Sequence, residues 1–94
     1  MIKRELSTHK WLKTELVTSP SYGIVEEVLI KPDQRVYEWD PLFNIRNENG
    51  ILEQIAVGTS GVLKTINVEK RDLVSPGTLL AQIKTDNFIT GSDQ

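Results

Sequence analysis

Side chains that could carry out catalysis are few and scattered in this sequence. His9 is the single histidine, and no serine and carboxylate accompany it in a pattern that would make it a general base. Glu26 and Glu27 are adjacent acids, but neighbouring strand residues point to opposite faces, so we expect them to be separated rather than paired for acid–base chemistry. The chain has no cysteine, which excludes a thiolate nucleophile and a cysteine-bound metal. We therefore predict a protein without catalytic or metal-binding residues that is not an enzyme.

Composition narrows the classes of partner. The 94 residues carry 11 basic and 13 acidic side chains, a net charge of -2, whereas nucleic-acid-binding domains usually have a basic excess. The basic residues Lys64, Lys70 and Arg71 are interleaved with Glu69 and Asp72, a pattern typical of a solvated strand and turn. The apolar runs are only a few residues long, and no apolar stretch follows the charged N-terminus. We expect a cytoplasmic monomer that binds neither nucleic acid nor membrane.

Apolar residues alternate with polar ones in short runs that Pro, Gly, Asp and Asn interrupt. A period of two is typical of β-strands, and runs repeated every eight to ten residues predict an all-β sandwich or barrel. The ends of the chain differ from this pattern. Residues 1–16 hold four basic and two acidic side chains, and the remainder holds seven basic and eleven acidic ones. We predict an N-terminal arm over 1–16 with a helix at 7–16, a domain over 17–84, and a flexible C-terminal tail over 85–94.

The sequence contains an internal repeat. Residues 17–46 align without a gap on 55–84 at a constant offset of 38, with Gly23 falling on Gly61. Apolar character recurs along this alignment at Ile24 and Val62, Val25 and Leu63, Val28 and Ile66, Ile30 and Val68, Val36 and Val74, Leu42 and Leu80, and Ile45 and Ile83. The repeat predicts two similar halves related by a pseudo-twofold axis, each a small sheet that buries its apolar face against the other.

Both halves resemble a known family. Each follows G-[VI]-x-x-x-[VI]-x-[VI] and, after a turn, V-x-x-[G]-x-x-L-x-x-I, quoted as GIVEEVLIKPDQRVYEWDPLFNI and GVLKTINVEKRDLVSPGTLLAQI. Over residues 17–84 this pattern is similar to the biotinyl/lipoyl domain of the biotin carboxyl carrier type. The resemblance implies a barrel-sandwich hybrid of two pseudo-symmetric four-stranded halves. Small five-stranded barrels such as OB and SH3-like folds are the competing architectures.

The segment that joins the halves, residues 46–54, is where the family carries its chemistry. Asn49-Gly50 predicts a type I′ turn, which needs positive φ at both central residues. This turn would set Ile45 opposite Gln54. The resemblance places a biotin- or lipoate-bearing lysine at Asn49 or Gly50, and no lysine occurs between residues 31 and 64. We therefore expect no acylation and no cofactor.

Two further turns depart from the family pattern. The family usually has Gly-Asp after the first strand of each half, where this chain has Asp33-Gln34 and Arg71-Asp72. Because arginine tolerates the left-handed conformation poorly, we expect the second turn to rearrange. Trp39 stands where the family often has glycine, which the second half keeps at Gly77.

The exposed residues of these turns are candidates for an interaction surface. Trp39 is either a lid packed against Trp11 or an exposed anchor at a protein interface, where tryptophan is enriched. With Tyr37, Asn49, Gly50 and Ile51 it makes up the predicted surface. We predict a non-catalytic interaction or scaffold module, a carrier mimic whose protein partner is a biotin- or lipoate-dependent enzyme or ligase. The alternative is a divergent biotin or lipoate carrier subunit of a carboxylase or dehydrogenase complex, modified at another lysine.

Overall fold

Eight β-strands make up the fold. The structure is a computed structural model that describes residues 14–86, and no segment between these residues is helical. The strands are β1 (Thr14–Thr18), β2 (Gly23–Val28), β3 (Arg35–Val36), β4 (Phe43–Asn47), β5 (Leu52–Ile55), β6 (Gly61–Ile66), β7 (Leu73–Val74) and β8 (Leu79–Thr85). They form two four-stranded antiparallel sheets, sheet A in the order β1-β8-β6-β3 and sheet B in the order β5-β4-β2-β7. This all-β architecture confirms the predicted barrel-sandwich hybrid.

The two halves of the chain are interleaved. Sheet A has β8 and β6 at its centre and takes both edge strands, β1 and β3, from the first half. Sheet B has β4 and β2 at its centre and takes its edge strands, β5 and β7, from the second half. The repeat alone indicated one sheet for each half, and that interpretation was wrong because every edge strand crosses to the other sheet.

Backbone features recur at the offset of 38 residues. Asp33 and Arg71 both have left-handed φ, at 66° and 82°, and so do Trp39 and Gly77, at 66° and 90°. We call two residues related in this way mates. The N–H of Asp33 donates to a β6 carbonyl and the N–H of Arg71 donates to a β2 carbonyl. The turn at Arg71 therefore keeps the conformation of its mate, and the predicted rearrangement was wrong because these hydrogen bonds hold the backbone.

Glycine is required where β2 and β6 begin. A Cβ on Gly23 would collide with the backbone carbonyl of Arg46, and a Cβ on Gly61 would collide with that of Lys84. These are equivalent contacts, since each glycine pairs across its sheet with the end of a central strand. The aligned glycines of the repeat thus mark close approaches between backbones.

The core lies between the two sheets and is wholly aliphatic except for one phenylalanine. Its buried residues are Val17, Val25, Ile30, Val36, Leu42, Phe43, Ile45, Ile55, Leu63, Val68, Val74, Leu80, Ala81 and Ile83. Ile24 and Ile51 belong to the apolar pattern of the sequence, yet both are exposed. Alternation explains the exposure of Ile24, because the next residue, Val25, points into the core and Ile24 therefore points to the outer face of the sheet.

The strands reach into both predicted end segments. β1 begins at Thr14, so residues 14–16 of the predicted helix are extended instead. They pair with β8 along the edge of sheet A, and this pairing lets Val17 cover the core. The rest of that predicted helix, together with His9 and Trp11, lies outside the described residues. At the other end, β8 continues to Thr85, which is buried.

Candidate functional site

The hairpin loop that joins the halves has three residues, Glu48–Gly50. The Gly50 N–H donates to the Asn47 carbonyl at 2.9 Å, and the Asn47 N–H donates to the Ile51 carbonyl at 2.9 Å. Gly50 has φ of 80°, whereas Asn49 is not in the positive region. This is the pattern of a three-residue hairpin that ends in a left-handed glycine. The predicted type I′ turn was wrong.

Asn47 explains why the loop takes this form. Its side-chain Oδ1 accepts hydrogen bonds from the backbone N–H of Asn49, at 2.9 Å, and of Ile51, at 3.0 Å. An asparagine that caps its own turn in this way competes with the Asn-Gly signal two residues later. The pairing shifts by one residue as a result, so Ile45 lies opposite Glu53 rather than Gln54. The sequence did contain a signal for this loop, namely Asn47, the asparagine two residues before Asn49.

The hairpin loop offers no primary amine. Glu48, Asn49, Gly50 and Ile51 are all exposed. The lysines of the described chain stand elsewhere, in a turn after β2, in β6, before Arg71 and in β8. Beyond Gly50 and its two chain neighbours, no atom lies within 4 Å of the position that a Cβ on Gly50 would take. The loop tip is therefore open to a large partner, to which it offers a carboxylate and an amide, with the apolar side chain of Ile51 directly after it.

An apolar row crosses the outer face of sheet B beside this loop. Strand pairing sets Leu52 opposite Arg46, Arg46 opposite Ile24, and Ile24 opposite Leu73. We name Leu52, Ile24 and Leu73 the apolar row. Leu73 is 80% exposed and the other two are about half exposed. Tyr22, also exposed, extends the row towards the hairpin loop, where its carbonyl accepts from the Glu48 N–H at 3.1 Å.

The equivalent face of sheet A is more polar, since only Ile24 of the apolar row has an apolar mate, the half-buried Val62. The mates of Leu52 and Leu73 are Thr14 and Arg35, and the mate of Tyr22 is Ser60. Because both sheets have the same topology, these positions do not need apolar side chains to fold. The exposed leucines of sheet B are therefore a feature of that face alone, and exposed apolar patches of this kind mark interaction sites.

Glu26 and Glu27 lie on the same outer face of sheet B. The register of β2 against β4 shifts between Val25 and Glu27, which is a β-bulge. Glu26 Oε1 accepts from Arg46 Nε at 3.2 Å, and Glu27 Oε1 accepts from Asn44 Nδ2 at 3.1 Å. Asn44 and Arg46 are two residues apart in β4 and share a face, so the predicted separation of the two acids was wrong. Each carboxylate has its own hydrogen-bond partner in β4.

The structure divides the predicted interaction surface into two groups. Asn49, Gly50 and Ile51 lie at the end of β4 that leads into the hairpin loop, whereas Tyr37 and Trp39 precede its start. The five residues of β4 span about 16 Å at 3.3 Å per residue. The Trp39 N–H donates to the Val57 carbonyl at 2.8 Å, beyond the far end of β5. The two groups therefore lie at opposite ends of β4.

Arg35 and Asp86 form the shortest ion pair among residues 14–86. Arg35 Nη1 donates to Asp86 Oδ2 at 2.6 Å, and Nη2 donates to Oδ1 at 3.1 Å. The hydrogen bond from Arg35 holds the pKa of the Asp86 carboxyl below its usual range. The same bond raises the pKa of Arg35. The pair joins the two-residue strand β3 to the residue that follows β8.

Two kinds of site are not found in the part of the chain that the structure describes. Among residues 14–86, no three His, Cys, Asp or Glu side chains group together as metal ligands. The same residues include no helix that is long and apolar enough to cross a membrane.

Comparison with known proteins gives a likeness of fold. No family model matches the sequence, and no curated protein matches it. Among solved structures, the chain is similar to part of the urea carboxylase of Kluyveromyces lactis, with 22% sequence identity and a TM-score of 0.69. The match covers 76% of this chain but only 6% of the carboxylase chain. The chain thus shares its fold with a segment of that carboxylase.

Proposed function

We propose that the chain is a biotinyl/lipoyl-like domain that is not acylated and acts as a non-catalytic interaction or scaffold module. The hairpin loop carries this proposal. Acylation needs a primary amine on the loop, and residues 46–54 contain no lysine. The fold is kept while the group that would make it a swinging arm is missing.

The class of partner follows from what the fold resembles. A carrier presents its hairpin loop to the enzymes that load it and use it, so a domain with the same shape and no lysine presents the same surface without the reaction. The likeness to a segment of a carboxylase supports a biotin- or lipoate-dependent enzyme, or a ligase, as the partner. We propose that the chain is a carrier mimic in such a complex.

The apolar row supplies the contact surface of this proposal. Leu52 follows Ile51 directly, and Arg46 precedes Asn47, so the apolar row and the hairpin loop form one continuous area. Apolar side chains surrounded by polar groups are the usual anatomy of a protein interface. Arg46 crosses the row and is tied to the Gly50 carbonyl at 2.8 Å, which links the sheet face to the loop.

The intact mass of the protein purified from its own cells tests the absence of acylation. We expect a mass equal to that of the unmodified sequence. A mass increased by a biotinyl or lipoyl group would overturn the proposal, and peptide mapping would then identify the lysine that makes the chain a divergent carrier. Incubation with a biotin ligase and a lipoate ligase, followed by the same measurement, extends the test to acylation in vitro.

Matched variants test the contact surface. Leu73→Arg gives this position the residue of its mate, so the fold accommodates it, and it places a charge in the apolar row. In a pull-down, we expect Leu73→Arg to lose proteins that the wild-type chain captures, whereas Lys84→Ala, on the opposite sheet, retains them. Equal capture by wild type and Leu73→Arg, with both folded by circular dichroism, would exclude the apolar row.

A further inference from the structure

We propose that the turn between β3 and β4, at the opposite end from the hairpin loop, binds a lysine- or arginine-bearing segment of a partner protein. We name residues Tyr37–Asp40 the aromatic turn. This inference rests on the proposed interaction function and adds a second surface with a partner of defined chemistry. Four observations support it: the backbone of the turn, its mate, the exposure of its rings and its charge.

The backbone conformation of the aromatic turn does not require aromatic side chains. Trp39 has φ of 66°, in the left-handed region that a bulky residue rarely adopts. Its mate Gly77 has φ of 90° and meets the same requirement without strain. A tryptophan at this position therefore works against the local conformation, which points to a role for the ring other than forming the turn.

The mate turn shows that the same hydrogen bonds form without aromatic or charged residues. The Tyr37 N–H donates to Asp40 Oδ2 at 2.8 Å, and the Ser75 N–H donates to Thr78 Oγ1 at 2.9 Å. The Asp40 N–H returns to the Tyr37 carbonyl at 3.0 Å, as the Thr78 N–H does to Ser75 at 2.9 Å. One scaffold thus carries Tyr-Glu-Trp-Asp in the first half and Ser-Pro-Gly-Thr in the second.

The rings are supported on one side and open on the other. The six-membered ring of Trp39 lies against Gly58, where an added Cβ would come within 2.9 Å of two ring atoms. This contact fixes the ring, yet Trp39 remains 69% exposed and Tyr37 remains 59% exposed. A fixed aromatic ring with an open face is suited to a cation or to the stem of a long side chain.

Charge decides which partner fits. The aromatic turn contributes two carboxylates, Glu38 and Asp40, and no basic residue. Glu38 is exposed and has no hydrogen bond or ion pair with any residue between 14 and 86. The nearest basic residue in sequence, Arg35, is already held by Asp86. Carboxylates beside open aromatic rings attract lysine and arginine and repel phosphate groups, so a basic protein segment fits this turn and a nucleic acid does not.

A peptide titration tests the inference on the full chain. In the Trp11→Phe variant, Trp39 is the single remaining tryptophan, and its indole N–H gives one resolved NMR signal. The probe is the peptide acetyl-Gly-Lys-Arg-Lys-Gly-amide, and its control replaces the basic residues by acetyl-lysine and citrulline. We expect the basic peptide to move the Trp39 signal saturably and to bind at least about tenfold more tightly than the neutral peptide. We also expect the binding to weaken with added salt.

Two variants and a control locate the site. Trp39→Gly installs the residue of the mate turn, and Glu38→Gln removes one charge. We expect each to weaken peptide binding, measured by calorimetry, while the amide spectrum stays that of a folded protein. Tyr22→Ser removes an exposed aromatic ring at the other end of the molecule, and we expect it to bind like wild type.

Several results would overturn the inference. They are equal affinity for the two peptides, wild-type affinity in Trp39→Gly, or an equal loss in Tyr22→Ser. A Trp39 signal that the basic peptide does not move would also overturn it. The intact mass remains a separate readout, because an unmodified protein that ignores the peptide contradicts this inference and leaves the proposed function standing.

Discussion

Three residues other than glycine occupy the left-handed region of the backbone between residues 14 and 86, namely Asp33, Trp39 and Arg71. Each sits in a turn held by backbone hydrogen bonds and by one bond from a backbone N–H to a side chain three residues later, and both kinds recur in the other half. Aspartate adopts this conformation more readily than arginine or tryptophan does. Asp33 and Arg71 are mates with the same backbone conformation. The cost of left-handed φ can therefore be compared for an aspartate and an arginine in a single molecule.

Arg71→Gly is expected to increase the free energy of unfolding by roughly 0.5–1 kcal/mol, because relief of left-handed strain exceeds the added entropy of glycine in the unfolded chain. Arg71 is exposed, and the hydrogen bond that joins its turn to β2 is donated by its backbone N–H. Urea denaturation measures the change. The matched variant Asp33→Gly should gain less, and a larger gain there would contradict the strain argument.

Gly50 supplies the left-handed residue of the hairpin loop. Gly50→Val is expected to lower the free energy of unfolding by about 1 kcal/mol or more, since a β-branched residue is forced to a φ near 80°. The space around it is empty, so steric clash with other residues does not contribute. Gly50→Asn should cost less, because asparagine tolerates this region. Thermal unfolding compares the two, and equal melting temperatures for Val and wild type would refute the assignment.

Among the elements, the two-residue strands β3 and β7 are the smallest and depend on what flanks them. β3 pairs with β6 through Arg35 and Val36 alone. The ion pair of Arg35 with Asp86 adds a contact to the opposite end of the chain, at the far side of β6. Both side chains are more than 40% exposed, so salt screens the attraction.

The Arg35–Asp86 pair should make a small part of the stability depend on pH. Because the pKa of Asp86 is lowered in the folded protein, its contribution is present above the unfolded value of about 3.9 and is lost as pH falls through the lower folded value. We expect Arg35→Gln to raise the pKa of Asp86 in a carboxyl-detected NMR titration. Arg46→Gln, on sheet B, serves as the control and should leave Asp86 unchanged; an unshifted Asp86 in Arg35→Gln would contradict the assignment.

The alternating apolar pattern predicted the long strands, and the offset of 38 predicted which turns correspond. The apolar pattern did not reveal that the halves exchange edge strands, because β3 and β7 have only two residues each and are too short to show a period. Leu42 and Phe43 are neighbours and both are buried, which breaks the alternation where the chain enters β4. Leu80 and Ala81 break it in the same way near the start of β8. The conformation of the hairpin loop depends on a hydrogen bond to the Asn47 side chain. The effect of Asn47 was missed from the sequence because the Asn49-Gly50 pair is the stronger turn signal.

At the scale of the whole molecule, interleaving makes the two halves one folding unit. Each sheet needs strands from both halves, so neither 14–51 nor 52–86 contains a complete sheet. We expect each fragment alone to be unfolded by circular dichroism, and the intact chain to unfold in one cooperative step with coincident far-ultraviolet and fluorescence transitions. A folded fragment, or two separate transitions, would show that the halves are independent.

The pairing of β1 with β8 has a consequence for the newborn chain. Thr14 lies opposite Lys84 in the sheet, so the first strand has no partner until nearly all of the domain has left the ribosome. At a synthesis rate of about 5–20 residues per second, β1 and the apolar residues behind it wait several seconds in an incomplete sheet. The same delay leaves the edge of β6 unpaired on one side. Ribosome-associated chaperones therefore have a defined period in which to bind this protein, and it ends when Leu79–Thr85 emerge.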